Sequence, residues 1–371
     1  MMKILRGWHM EVKQNHTRMR WRFTGMIMGL AFVTWMLTLL AKKNPEKVES
    51  LYASKIYPQI ANVIGIIVDK VFFSIAEVVV FGTLIGIVFS VITLVLRPNY
   101  FKAFFHGIIR ILGIGYILFY FIWGFNYYRQ DYIDLAGMSR QGGTPQDLKD
   151  LADEMIEKMN DLRENLTEDE NGVLFIEEDF NQLAKMAKDG FMNYTLGTVN
   201  LPVVHGRAKP LVISKWMSYT GITGIYFPYT GEPNVNISIP HTNIPATICH
   251  EIGHQMGFAK EEEANFIAYK ASVNNSNPVF QYSGYYLALQ HLLSDLYKVD
   301  TDFYDDLTSK ISEGVRRDMD EEYDYWKARE GRVEKVATAL NDNYLKANNQ
   351  VAGVKSYNGV VKLLMAEYKS R

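Results

Sequence analysis

The stretch "CHEIGHQMGFAKEEEANF", Cys249 to Phe266, places two histidines, four glutamates and the chain's only cysteine within eighteen positions. In an α-helix residues i and i+4 lie one turn apart on the same face, so His250 and His254 can offer ring nitrogens to one ion. Glu251 sits one step round that face. It can reach a water held by the ion without being a ligand, as metal-assisted peptide hydrolysis requires. Pro245 suits the first turn of this helix, Gly257 suits its stop, and "FAK" connects to an acidic run that opens a second helix.

A catalytic zinc normally takes three protein ligands and keeps a fourth position for water, so a third donor is needed. Acidic residues in a first turn also have an ordinary role, complementing the helix dipole by up to ~1 kcal/mol. Ala264, Ile267, Ala268 and Ala271 form the apolar stripe of the second helix. Glu262 then falls on the solvent side, and Glu261 and Glu263 flank the stripe. Periodicity leaves these two open.

"HEIGHQMGFAKEEEANFIAY" resembles the Glu-ligated, gluzincin-type H-E-x-x-H zinc peptidases, and its E-x-E-A-N-x-x-A portion is similar to the ImmA-like members. That resemblance implies Glu263 as the third ligand, with Glu261 as second choice. The metzincin pattern is not met, because Lys260 stands where its third histidine would be. A wider resemblance covers most of the chain, to an uncharacterised bacterial family of membrane proteins with N-terminal spans and a C-terminal H-E-x-x-H domain. It is carried by "WGFNYYR" (123–129), "GIYFPYTGEPNVN" (224–236), "CHEIGHQMGFAKEEEANFIAY" (249–269) and "NDNYLKANNQVAGVKSY" (341–357). It implies a zincin-like fold and a site of peptidase type.

Around the motif, Leu148, Leu151, Met155, Met159 and Leu162 predict an amphipathic helix over 145–165, and Phe180, Leu183, Met186 and Ala187 a second. Residues 198–239 hold the strand candidates "PLVIS" and "NVNISI". In "NVNISI" (234–239) Val235, Ile237 and Ile239 alternate with polar residues between Pro233 and Pro240, which predicts an edge strand. By analogy with such peptidases Asn234, Asn236 and Ser238 are expected to hold substrate backbone by strand addition. Asn265 is a candidate to orient a ligand, and Tyr226, Tyr229 and His205 are candidate donors to a developing oxyanion.

Further out, three segments free of Asp, Glu, Lys and Arg are long enough to cross a bilayer: 23–41, 78–96 and 111–128. Residues 44–70 are too broken by charge to span and are expected to lie along the membrane surface beside the soluble domain. Trp123, Tyr127 and Tyr128 predict an aromatic belt at the end of the third span. Residues 1–125 carry 14 Lys+Arg against 5 Asp+Glu, and residues 126–371 carry 25 against 36. A basic apolar anchor (1–128) followed by an acidic soluble domain (129–371) is the reading, and the acidic domain excludes nucleic acid as a partner. Nine Lys/Arg against seven favour a cytoplasmic N-terminus and an extracytoplasmic domain in a multi-pass protein of the cell membrane. One cysteine excludes an intrachain disulfide.

The expectation is an α+β chain with a three-helix membrane anchor and a mostly helical, zincin-like domain holding a small sheet. It would act as a zinc metallopeptidase, a hydrolase in which His250, His254 and Glu263 hold Zn2+ and Glu251 activates the zinc-bound water. Its partners would be the lipid bilayer and peptide or protein substrates, membrane-associated ones included. The rival reading is a non-catalytic membrane sensor or scaffold that retains the fold.

Overall fold

The computed structural model describes residues 2–193 and 206–371, with side chains described for 21–192 and 206–371. It is mostly helical, with one three-stranded sheet. Four helices come first: α1 (Met2–Lys42), α2 (Pro45–Val68), α3 (Ile75–Leu96) and α4 (Phe101–Ile122). Among the described residues four segments, not three, are long and apolar enough to cross a membrane: Trp21–Lys42, Pro45–Val68, Ile75–Leu96 and Pro98–Ile122. The apolar faces of α1, α3 and α4 stand mostly exposed, as a lipid-facing surface would.

The packing of α1 on α4 sets their relative direction. Trp21 meets His106 edge-on, and Ile27 fills the space beside Gly113, so residue numbers rise together along both helices. The two run parallel. The segment 44–70, expected along the surface, forms α2, whose two ends are both tied to the domain. Glu49 pairs with Arg129 at 2.8 Å, and Asp69 pairs with Arg207 at 3.0 Å.

The third span differs from the expected 111–128. The α-helix ends at Ile122, and residues 124–128 form a tight 3-10 turn. Trp123, Tyr127 and Tyr128 are buried rather than exposed as a belt, and Trp123 Nε1 and Tyr127 Oη find partners in the domain, the His254 carbonyl and Tyr344 Oη. They join Tyr52 and Tyr57 of α2, Tyr120 of α4, and Tyr226 and Ala259 in one aromatic cluster. Residues on both sides of 128/129 are therefore packed, not linker.

The domain proper contains α5 (Pro145–Arg163), α6 (Phe180–Asn193), β1 (Lys209–Pro210), β2 (Gly224–Phe227), β3 (Glu232–Val235), α7 (Ile244–Gln255), α8 (Glu261–Val273), α9 (Pro278–Val299), α10 (Thr301–Ser309), α11 (Glu313–Lys327), α12 (Arg332–Ala347) and α13 (Val360–Tyr368). Helix α5 starts at a capping box in which Thr144 and Asp147 satisfy each other's backbone N–H, and it buries Leu148, Leu151, Met155 and Met159 as its spacing predicts. It packs on α9, which also covers α7 and α8. Helices α7 and α8 are buried nearly all round, so the H-E-x-x-H helix runs through the core.

The sheet order is β1-β3-β2, with β1 parallel and β2 antiparallel to β3. The edge-strand expectation for 234–239 is thus corrected: β3 is the middle strand, and the chain leaves the sheet after Val235. Of "PLVIS", Pro210 alone is in a strand, and Ser214 already begins a short helix. The Asn234 and Asn236 side chains that looked outward from an edge are buried in internal hydrogen bonds instead, and Ser238 is half-buried beyond the strand.

Candidate metal centre

Helix α7 stops at Gly257, whose φ of +87° is open to glycine and disfavoured for other residues, and a Cβ there would lie 2.8 Å from the Tyr57 ring. The turn sends Phe258 and Ala259 back across the end of α7, and α8 begins at once with Glu261. Its first carboxylate therefore faces the histidine face of α7. The Glu261 Oε2 atom lies 3.3 Å from His250 Nε2 and 3.4 Å from His254 Nε2. One ligand atom from each of the three residues falls within 4.8 Å of the others.

The other ring nitrogens fix the orientation. His254 Nδ1 lies 2.7 Å from the Phe258 carbonyl, and a carbonyl only accepts, so Nδ1 carries the proton. His250 Nδ1 lies 2.8 Å from Asn265 Oδ1, and Asn265 Nδ2 donates to the Tyr357 carbonyl at 3.3 Å. Both Nε2 lone pairs then point at a carboxylate oxygen. Three acceptors face one another, and Glu261 Oε2 is buried with no donor. Such a group needs a cation between its members, a proton or a metal ion. Burial alone would lower His254, but Glu261 beside it lifts it to about 9. Burial alone would raise Glu261, but His254 and His250 hold it well below the usual carboxylate range. Two neutral-type imidazoles and one carboxylate are the donor set of a zinc site, and these residues fit the ion.

Glu251 is buried beside them. Its Oε2 also lacks a donor, while the backbone N–H of Tyr226 supports the carboxylate. Burial pushes its carboxyl up to about 7, against the pull of His250 and His254. A Cβ at Gly224 would lie 2.5 Å from Glu251 Oε1, so glycine at that position leaves room for this side chain. The group lies on the floor of a cleft of about 1080 Å³ walled by β2, by Trp123, by α12 and by Tyr357. The open edge of the sheet on this side is β2, not β3. Asn236 N donates to Thr223 O across the hairpin, so Gly224 and Tyr226 alternate to face away from β3.

Glu263, favoured by resemblance, is not with the histidines. Two residues on from Glu261 is about 200° round the helix, and Glu263 Oε1 accepts from Tyr132 N at 2.8 Å and from Lys260 Nζ at 3.2 Å. Asn234 and Asn236 are fully buried and bind backbone carbonyls of Ile225 and Ile222 respectively. Ser238 N donates to Asn236 Oδ1, and none of these three residues lines the cleft. The Tyr226 hydroxyl is engaged with Tyr57 Oη, and the Tyr229 hydroxyl donates to Gly115 O. His205 lies outside the described residues. Tyr357 was missed by sequence reasoning. It is half-buried, its hydroxyl is close to Glu261 and to Asn341, and desolvation followed by the Glu261 charge raises its pKa well above the usual tyrosine value.

A family model described as Protein of unknown function (DUF3810) matches residues 52–365. The chain belongs to this family. The matched region begins in α2 and ends in α13, so the aromatic cluster and the His250, His254 and Glu261 group are parts of one family unit. No curated protein and no solved structure matches the chain.

Proposed function

We propose that this protein is a membrane-anchored zinc metallopeptidase in which His250, His254 and Glu261 hold the metal and Glu251 is the general base. The observation that carries this reading is the convergence of two Nε2 atoms on a buried carboxylate oxygen that has no donor, beside a second buried carboxylate, on the floor of an open cleft. When bound, zinc would act as a Lewis acid that acidifies a water and polarises the scissile carbonyl. Glu251 takes a proton from the attacking water and delivers it to the departing nitrogen as the amide C–N bond breaks, so that one water is added across the bond. The Tyr226 N–H steadies Glu251, and Asn265 and the Phe258 carbonyl hold the imidazoles in the ligating tautomer. The Gly224 to Phe227 edge is suited to bind an extended peptide backbone.

The parallel course of α1 and α4 supports a three-crossing anchor. With α2 tied to the domain at both ends, α3 alone returns the chain between them. The Lys/Arg bias then favours a cytoplasmic N-terminus and an extracytoplasmic cleft. The test is zinc content and hydrolysis of a mixed peptide library by the full-length protein in detergent. One zinc per chain with cleavage is expected, and Glu261→Ala is expected to lose the metal while Glu263→Ala keeps it. Zinc without any cleavage would leave a metal-binding scaffold, and metal-free protein would defeat the reading outright.

A further inference from the structure

The last turns of α4 form part of the cleft. Phe119 and Trp123 line it, and Trp123 Nε1 donates to the carbonyl of His254 at 2.9 Å. The tip of the β2–β3 hairpin runs back along the same helix, where Tyr229 Oη donates to Gly115 O at 3.2 Å. At 1.5 Å per residue that contact lies roughly 10 Å before the helix end at Ile122. The cleft wall and an apolar helix long enough to span thus overlap in depth.

A second cavity of about 570 Å³ lies beside the first. Trp35, Leu39 and Lys42 of α1 and Tyr116 of α4 frame it. Phe119, Tyr229 and Tyr344 line both cavities, so the metal cleft and the space beside the end of α1 share these side chains as a common wall.

Helix α12 supplies the third observation. Val333, Val336, Leu340 and Tyr344 are all exposed and recur at three- and four-residue spacing, one continuous apolar stripe. Leu340 and Tyr344 also line the cleft. Tyr344 accepts from Tyr127 Oη, and Tyr120 Oη donates to Asn348 Oδ1, which pins the C-terminal end of α12 beside the end of α4. An apolar stripe unfavourable against water is matched by acyl chains at that position.

We infer that the cleft opens at the bilayer surface and that its substrates are polypeptides anchored in that same bilayer, entering between α12 and α1 and cut within a few residues of the membrane. This inference rests on the peptidase reading. The test places the full chain in phosphatidylethanolamine/phosphatidylglycerol liposomes with casein-derived peptides. These are supplied free, or palmitoylated with the cleavable stretch about 5 or about 40 residues from the acyl chain. The short-spaced anchored peptide is expected to be cut about tenfold faster than the free one. Val336→Lys, on the stripe but off the cleft, should abolish the preference for the short spacer while leaving free-peptide cleavage and zinc content unchanged. A photo-crosslinker at Val336 should label acyl chains, whereas one at the equally exposed Tyr323 of α11 should not. Zinc-loaded protein that cuts free peptide but prefers the long spacer, or shows no acyl labelling at Val336, overturns this inference alone. Protein that lacks zinc or cuts no form overturns the peptidase reading and this inference with it.

Discussion

Two buried charge clusters in one domain have opposite hydrogen-bond economies. Asp318 has no exposed surface, and it accepts from Arg163 Nε at 2.7 Å, Tyr282 Oη at 2.6 Å, Leu174 N at 2.8 Å and Arg163 Nη2 at 3.2 Å. Both of its oxygens have donors supplied by the chain. In the candidate metal centre Glu251 Oε2 and Glu261 Oε2 are also buried and have none. Leaving one buried oxygen without a donor costs about 1–3 kcal/mol. A chain that closes one such cluster fully and leaves the other open toward a cleft separates a support from a site.

Mutations can break that contrast. The largest expected effect is on chemistry: Glu251→Gln should lower peptide hydrolysis by roughly a hundred- to ten-thousand-fold while zinc content stays at wild type, as read by metal analysis beside a rate assay. The closed cluster should respond in stability instead. Asp318→Ala strands Arg163 in the core and should cost about 3–5 kcal/mol, seen as a lower Tm with the zinc per folded chain unchanged. A chelator should destabilise the wild type by about 4 kcal/mol relative to protein with free zinc at a thousand times its Kd, and should leave the Tm of Glu261→Ala unmoved. Gly224→Ala tests the neighbouring backbone. Its new methyl group meets the Glu251 side chain, and crowding of about 1–3 kcal/mol should appear as slower hydrolysis with zinc retained. Smallest of all, Glu263→Ala should cost about 1 kcal/mol through the lost bonds to Tyr132 and Lys260, with metal binding intact.

Much of the site was legible because its first half is local. His250 and His254 share a face through helix periodicity alone, and Gly257 announced the end of that helix. Asn265 was also legible as a possible support for a ligand, and it lies 2.8 Å from His250 Nδ1. A signal for the third donor was present and unread: Glu261 and Asn265 are four residues apart, so one helix offers an i, i+4 pair to the i, i+4 pair of the other. The apolar stripe of α8 was a poor guide because α8 is buried nearly all round, and Glu262 itself is only half-exposed, packed against Gly359. Alternation misled at 234–239 for a similar reason. Asn234 and Asn236 are polar yet fully buried, since their side chains bond to backbone carbonyls that no pattern of hydrophobicity records.

By itself the sequence determined the apolar N-terminal helices, the acidic domain after them, the H-E-x-x-H helix and the acidic start of the helix that follows. These are properties of composition and of periods shorter than two helical turns. The tertiary structure decided that Glu261 rather than Glu263 meets the histidines, that α2 lies along the domain, that Trp123 reaches the His254 backbone, and that Tyr357 faces Glu261 from 96 residues away. Each depends on the angle at which two separately formed helices or loops pack, and that angle is set by contacts between residues far apart in the chain.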